Sequence, residues 1–151
     1  MKKFVSPILI GMTLFALLLS CKEEDNTANN KSRLIGDWDP KSIEWSGCKD
    51  SEEDNLRSLA CINGFCMKYS FVLDTTNKQL YYITTKVGAI QTTESGFYTV
   101  SNDKLSLCQD NEGKIECDEY TMIIRLNNLT LRRTLEDSGC TESITLSRSS
   151  S

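Results

Sequence analysis

The sequence predicts an all-β domain, a small eight-stranded antiparallel up-and-down barrel with a short helix or loop between its first two strands. Three observations carry this expectation. From Leu34 to Arg148, short runs alternate apolar and polar side chains, the period of a half-buried strand. Clusters of Asn, Asp, Gly and Ser separate these runs. The strands follow one another along the chain, and closing such a meander removes its exposed edges.

The chain begins before that domain. Met1-Lys2-Lys3 is basic, and residues 4–19 are nearly all apolar. The run is too short for a comfortable membrane span and fits a secretory signal peptide, residues 1–20, that is removed. It stops at Cys21, and Lys22-Glu23-Glu24 follows at once. Residues 22–33, KEEDNTANNKSR, are polar and read as a flexible tether reaching roughly 20 Å.

The first predicted strand spans residues 34–47 and bends at Pro40. SEEDNLRSLA, residues 51–60, opens with a Ser-x-x-Asp cap and carries Leu56, Leu59 and Ala60 on one helical face. It reads as a short helix, with an acidic loop as the alternative. The second strand is CMKYSFVL, with Met67, Tyr69, Phe71 and Leu73 on one face. QLYYITTKV, GFYTV and KLSLC are the third to fifth. EYTMIIRL is the sixth, with Tyr120, Met122, Ile124 and Leu126 inward, and LTLRRTL and TESITLSR complete the set.

In an up-and-down barrel the connections alternate between two ends. DTTNK, ND and NN are short and share one end. Residues 48–65, GAIQTTES, QDNEGKIE and EDSG share the other, and three of these four are longer. One end is therefore expected to be pinched and the other crowned by loops.

The composition narrows the chemistry. Removing residues 1–20 takes out two lysines and no acid, leaving 15 basic and 21 acidic residues, a net of −6 (15 − 21). No basic cluster is present, which argues against a nucleic-acid partner. The chain has no histidine, so the commonest metal ligand and general base are both missing. No cofactor is implied. Seven cysteines are present, and if Cys21 is set aside the six that remain read as disulfides in a small exported domain. Cys48 ends the first strand and Cys140 opens the last, which must be neighbours if the barrel closes. Cys61 and Cys66 flank Ile62-Asn63-Gly64-Phe65, and Asn63-Gly64 is a strong hairpin signal. Cys108 and Cys117 flank one connection, and parity places both on the outer face. The expected pairs are Cys48–Cys140, Cys61–Cys66 and Cys108–Cys117, all at the crowned end.

Several motifs resemble known families. Leu18-Leu19-Ser20-Cys21 resembles a bacterial lipobox, and that resemblance implies diacylglycerol on the Cys21 thiol, cleavage before it and acylation of the new amine. Lys22-Glu23-Glu24 resembles the surface-export signal of Bacteroidota lipoproteins and implies the outer face of the outer membrane. Gly36-Asp37-Trp38 resembles the Gly-x-Trp signature that opens lipocalins. LIGDWDPKSIEW and ESGFYTVSNDKLSL are similar to the lipocalin-like domains of Bacteroidota lipoproteins, over residues 34–148, with 149–151 as a tail. That resemblance implies that Trp38 plugs the closed end, with Arg148 stacked on it. The chain is shorter than true lipocalins, and their later motifs are not evident.

The expected function is a surface binding module holding a small apolar or glycan-like ligand at the open end, lined by Trp45, Tyr69, Phe71, Tyr120 and Met122. The alternative is a solid barrel presenting its stapled face, with Ile62, Phe65 and Ile90, to a protein partner. The acids Asp50, Glu52, Glu53, Asp54, Asp118 and Glu119 read as solvated faces, and no catalytic residue is assigned. Asp74-Thr75-Thr76 resembles a Bacteroidota O-glycosylation motif at Thr75.

Overall fold

A computed structural model describes residues 26–59, 61 and 64–150. The signal peptide, Cys21, Lys22-Glu23-Glu24, Ala60, Ile62 and Asn63 lie outside the described residues, as does Ser151.

The described chain is a closed antiparallel barrel with one extra strand and a plugging helix. The elements are α1 (Thr27–Leu34), β1 (Gly36–Ser46), β2 (Asn55–Ser58), β3 (Phe65–Leu73), β4 (Gln79–Val87), β5 (Ile90–Ser101), β6 (Lys104–Asn111), β7 (Lys114–Arg125), β8 (Asn128–Thr134) and β9 (Thr141–Arg148). The sheet runs β2-β1-β3-β4-β5-β6-β7-β8-β9, and β1 also pairs with β9 to close an eight-stranded ring outside which β2 stands. Closure runs from Trp38 opposite Arg148 to Ser46 opposite Thr141, with a bulge between Pro40 and Ser42 at the expected bend.

Alternation places one face of each of the eight barrel strands in a single core, whereas β2 is exposed throughout. Trp38, Phe71, Leu105, Leu129, Leu131 and Leu146 are completely buried. Burying each leucine contributes about 1.5–3 kcal/mol. Phe71 and Tyr98 meet edge to face at 5.4 Å between ring centres.

The closed end is locked by side chains from both termini of the barrel. The Trp38 indole N–H donates to the Leu34 carbonyl at 2.8 Å. Arg148 lies over the Trp38 ring, 4.4 Å from its centre, as the Gly-x-Trp resemblance implies. Its guanidinium also donates to the Ile35 carbonyl at 3.0 Å and to the Arg33 carbonyl. A cation thus satisfies carbonyls at the C-terminal end of α1, where the helix dipole is negative. Gly36 has φ +128°, and a Cβ there would lie 2.5 Å from the Arg148 guanidinium. Only glycine fits both the backbone and the stack. Residues 26–150 contain α1 and every described strand of the closed sheet.

Four expectations need correction. Residues 27–33, read as part of a flexible tether, are helical, and the helix lies across the base. Asn30 Nδ2 donates to the Asn102 carbonyl, the Asn102 N–H donates to Thr27 Oγ1, and Leu34 is fully buried. Residues 51–60 do not form the expected helix. They give a 3-10 turn at Ser51–Glu53 and then β2. The reason is backbone pairing. β3 meets β1 only at Gly36–Trp38, leaving the upper edge of β1 open, and β2 fills it over Ser42–Trp45. The runs GAIQTTES and QDNEGKIE are not long loops. β4 and β5 pair up to Val87 opposite Ile90, and β6 and β7 up to Asn111 opposite Lys114, leaving two-residue turns. Opposed β-branched pairs such as Thr84–Thr93 and Thr85–Thr92 suit a strand. Finally, Leu126 does not point inward. It sits at the β7–β8 turn with φ +50° and is 90% exposed.

The three disulfides are those expected: Cys48–Cys140, Cys61–Cys66 and Cys108–Cys117. Cys108 and Cys117 are directly opposed in the β6–β7 register, and Cys48 and Cys140 lie just beyond the last β1–β9 pair.

Candidate functional site

Alternation that fills the lower barrel with leucine delivers different side chains above it. Following each inward column upward, Leu105 and Leu107 give way to Gln109 and Asn111 on β6. Tyr120 gives way to Asp118 and Glu116 on β7, Leu131 to Arg133 on β8, and Ile144 to Glu142 on β9. On β5 the column runs through Tyr98 and Gly96 to Glu94. The core therefore ends in a polar layer.

Above that layer is an open cavity of about 290 Å³. Tyr69, Tyr81 and Tyr120 supply aromatic walls, Gln109 and Asn111 supply amides, and Glu94, Glu116 and Asp118 supply carboxylates. Leu107, Leu131 and Ile144 form the floor. Gly96 makes one wall possible. A Cβ there would fall 2.1 Å from the Cys108 carbonyl and 2.7 Å from the Tyr81 ring, so the ring lies against bare backbone.

One cation organises the acids. Arg133 Nε donates to Glu142 Oε2 at 2.6 Å and Nη1 donates to Asp118 Oδ1. The guanidinium also lies over the Tyr120 ring, 5.1 Å from its centre. Glu142 is 6% exposed, and the ion pair with Arg133 offsets the cost of burying its carboxylate.

The tyrosines are held protonated. Burial, reinforced by the Glu142 and Glu94 carboxylates, pushes the Tyr69 hydroxyl up to about 12. Burial is also the leading cause of the upward shifts of Tyr120, Tyr81 and Tyr98. The Tyr69, Tyr81 and Tyr120 hydroxyls therefore face the cavity as neutral hydrogen-bonding groups at neutral pH.

The expected lining residues divide. Tyr69 and Tyr120 reach the cavity. Phe71 and Met122 are packed in the core at 0% and 2% exposure and do not line it. Trp45 stands apart, half-buried on β1, with the Arg57 guanidinium 5.5 Å from its ring centre. Asp118 joins the site, whereas Asp50, Glu52, Glu53 and Asp54 are exposed in the β1–β2 connection and Glu119 on the outer face of β7. Asp50 caps its own turn by accepting from the Glu52 N–H at 3.0 Å. Phe65 and Ile90 are 38% and 70% exposed at the rim. Thr75 is exposed in the β3–β4 turn, where the Asp74 carboxylate accepts from the Thr76 and Lys78 N–H groups.

Arg133, Glu142, Tyr81, Glu94, Gln109, Asn111 and Glu116 are not among the residues expected from the sequence. The two-residue period of Leu129-Leu131-Arg133 and Leu146-Ile144-Glu142 was the signal for the ion pair. Among the described residues, Cys48, Glu53 and Cys140 are the group close enough to hold a metal, but the two sulfurs are bonded to each other.

No family model matches this chain, and no curated protein matches it either.

Proposed function

We propose that this protein is a lipid-anchored lipocalin-like protein of the outer membrane, facing the cell exterior, that binds a small glycan-like ligand in the mouth of its barrel. The observation that carries the binding reading is the cavity of about 290 Å³, small but within reach of ligand sites. Its lining suits a sugar better than a lipid. Tyrosine rings offer faces to sugar C–H groups, while amides and carboxylates meet hydroxyls. The excess of carboxylates over Arg133 disfavours an anionic ligand such as a fatty acid. Asp118 and Glu142 each give an oxygen to Arg133, an arrangement of structural ion pairs rather than of a free acid and base. The reading is therefore of binding, without catalysis. The anchor and the surface location rest on the lipobox and on Lys22-Glu23-Glu24.

The binding reading is tested by calorimetry on residues 26–151 against neutral mono- and oligosaccharides. Saturable binding weakened at least about tenfold by Gln109→Ala or Glu94→Ala supports it. Binding to fatty acids but to no sugar would overturn it. Mass spectrometry of the membrane-extracted protein should find three acyl chains on Cys21, and protease should reach the barrel on intact cells.

One observation favours the second reading, a protein-interaction module. Phe65, Val87 and Ile90 are opposed across β3, β4 and β5 and form an exposed apolar row at the rim. Photo-crosslinking from position 90 that captures one protein partner on intact cells, with sugar binding absent, would select it.

A further inference from the structure

The two ends of the barrel carry opposite charge. The rim connections hold Asp50, Glu52, Glu53 and Asp54 between β1 and β2, Asp110, Glu112 and Glu116 around the β6–β7 turn, and Glu136 and Asp137 between β8 and β9. Lys49, Lys86 and Lys114 are the cations among them. At the base, α1 contributes Lys31 and Arg33 without an acid, and the turns add Lys78, Lys104 and Arg125. Among the described residues, Asp74 and Asp103 oppose these in the base turns, and nearby Asp37 on β1 is held by Lys68 at 3.3 Å.

The base also shows an apolar tip. Leu126 is 90% exposed in left-handed backbone beside Arg125, a conformation that strains a leucine and that Asn or Gly would adopt freely. Leu73, at the end of β3, is 39% exposed at the same pole. Among the described residues, Leu126 is not part of the packed core.

The chain enters at this end. The first turn of α1 is tied to the β5–β6 turn through Thr27 and Asn102. From Asn26 to Cys21 is five peptide steps, so the base lies within about 17 Å of a lipidated Cys21. Residues 27–33 of the expected tether are helical and lie across the base.

We propose that the base is a membrane-docking face: Lys31, Lys78, Lys104 and Arg125 contact anionic lipid headgroups, and Leu126 enters the interface. The orientation rests on the lipid-anchor reading above. The face itself is a property of the folded chain. Electrostatics then selects one pose, because the acidic rim is repelled by the surface that attracts the base. The mouth faces outward.

The test uses residues 26–151, which lack Cys21, so its outcome does not depend on lipidation. Flotation is measured with vesicles of phosphatidylethanolamine and phosphatidylglycerol at roughly 0.02 M and 0.5 M salt, and with phosphatidylcholine alone. The expected result is association with the anionic vesicles at low salt, lost at high salt and absent on phosphatidylcholine. Lys104→Ala/Arg125→Ala should weaken it about thirtyfold, at about 1 kcal/mol for each cation near the surface. Leu126→Asn should weaken it while raising or preserving the melting temperature, which separates docking from folding. Lys49→Ala at the rim should leave it unchanged. No association with anionic vesicles, or association indifferent to both base variants, overturns the proposal. Unmodified Cys21 by mass spectrometry would instead overturn the anchor.

Discussion

Removing the disulfides one at a time should reveal how the ring is closed. Cys48–Cys140 spans 92 residues, Cys108–Cys117 spans 9 and Cys61–Cys66 spans 5. Constraining an unfolded chain stabilises the native state through lost loop entropy, which grows with the logarithm of the loop. That relation gives about 4.6 kcal/mol for the first bridge, about 2.7 for the second and about 2.2 for the third. The order matters more than the values, since all three bridges sit in the same end of one barrel. The first bridge also lies directly on the seam, past Ser46 and Thr141. The assay is urea unfolding of three double Cys→Ala variants, followed by tryptophan fluorescence and far-ultraviolet circular dichroism. Cys48→Ala/Cys140→Ala should lose about 2 kcal/mol more than either other pair. Equal losses from all three pairs, or the largest loss from Cys61→Ala/Cys66→Ala, would refute the reasoning that links stability to closure of the long loop.

Other perturbations probe the base and the mouth. Arg133→Met strands the buried Glu142 carboxylate and should cost about 3–5 kcal/mol in denaturant unfolding, whereas Arg133→Met/Glu142→Leu should recover most of it. Gly36→Ala pushes a methyl into the Arg148 guanidinium from a positive-φ backbone and should lower the melting temperature by more than Gly88→Ala, whose Cβ meets nothing. Arg148→Ala removes a ring stack and two carbonyl contacts, and should cost about 2–4 kcal/mol with loss of α1 protection in hydrogen exchange. The alkaline limb follows from Tyr69. Its folded value, about 12, exceeds the ordinary tyrosine value of 10.0, so the stabilisation is complete below pH 10 and is lost between pH 10 and 12. Thermal melting against pH should be flat from pH 8 to 10 by this group and fall beyond, with Tyr69→Phe shifting the onset upward.

Much of this architecture was legible in the sequence because period-two patterning over a small barrel leaves few alternatives. β3, β4 and β9 run almost where the pattern places them, and the cysteine pairs follow from strand order for Cys48–Cys140 and Cys108–Cys117 and from the Asn63-Gly64 turn signal for Cys61–Cys66. The Trp38–Arg148 stack followed from a short motif together with a cation at the end of the last strand. What was missed has physical causes. Gln91, Thr92, Thr93 and Glu94 look like a loop by polarity, yet their pairing with β4 is a backbone matter to which polarity is blind. The same error on residues 109–116 hid Gln109, Asn111 and Glu116, which line the mouth. Leu56 and Leu59 suggested a helical face, but no core lies beneath them. An open edge of β1 does lie beside them, and only the tertiary fold reveals it. The apolar lining expected from Phe71 and Met122 failed because a narrow barrel fills its lower layers with its own side chains. Cavity residues had to come from the upper layers, where charge begins.

The barrel has a mouth and a base only because β1 lies beside β9. Peptide mapping of the non-reduced native protein tests that most directly. The predicted result is one linked pair of peptides containing Cys48 and Cys140, alongside separate Cys61–Cys66 and Cys108–Cys117 species. A dominant link from Cys48 to any of the other four cysteines would place the first and last strands apart and contradict the closed barrel.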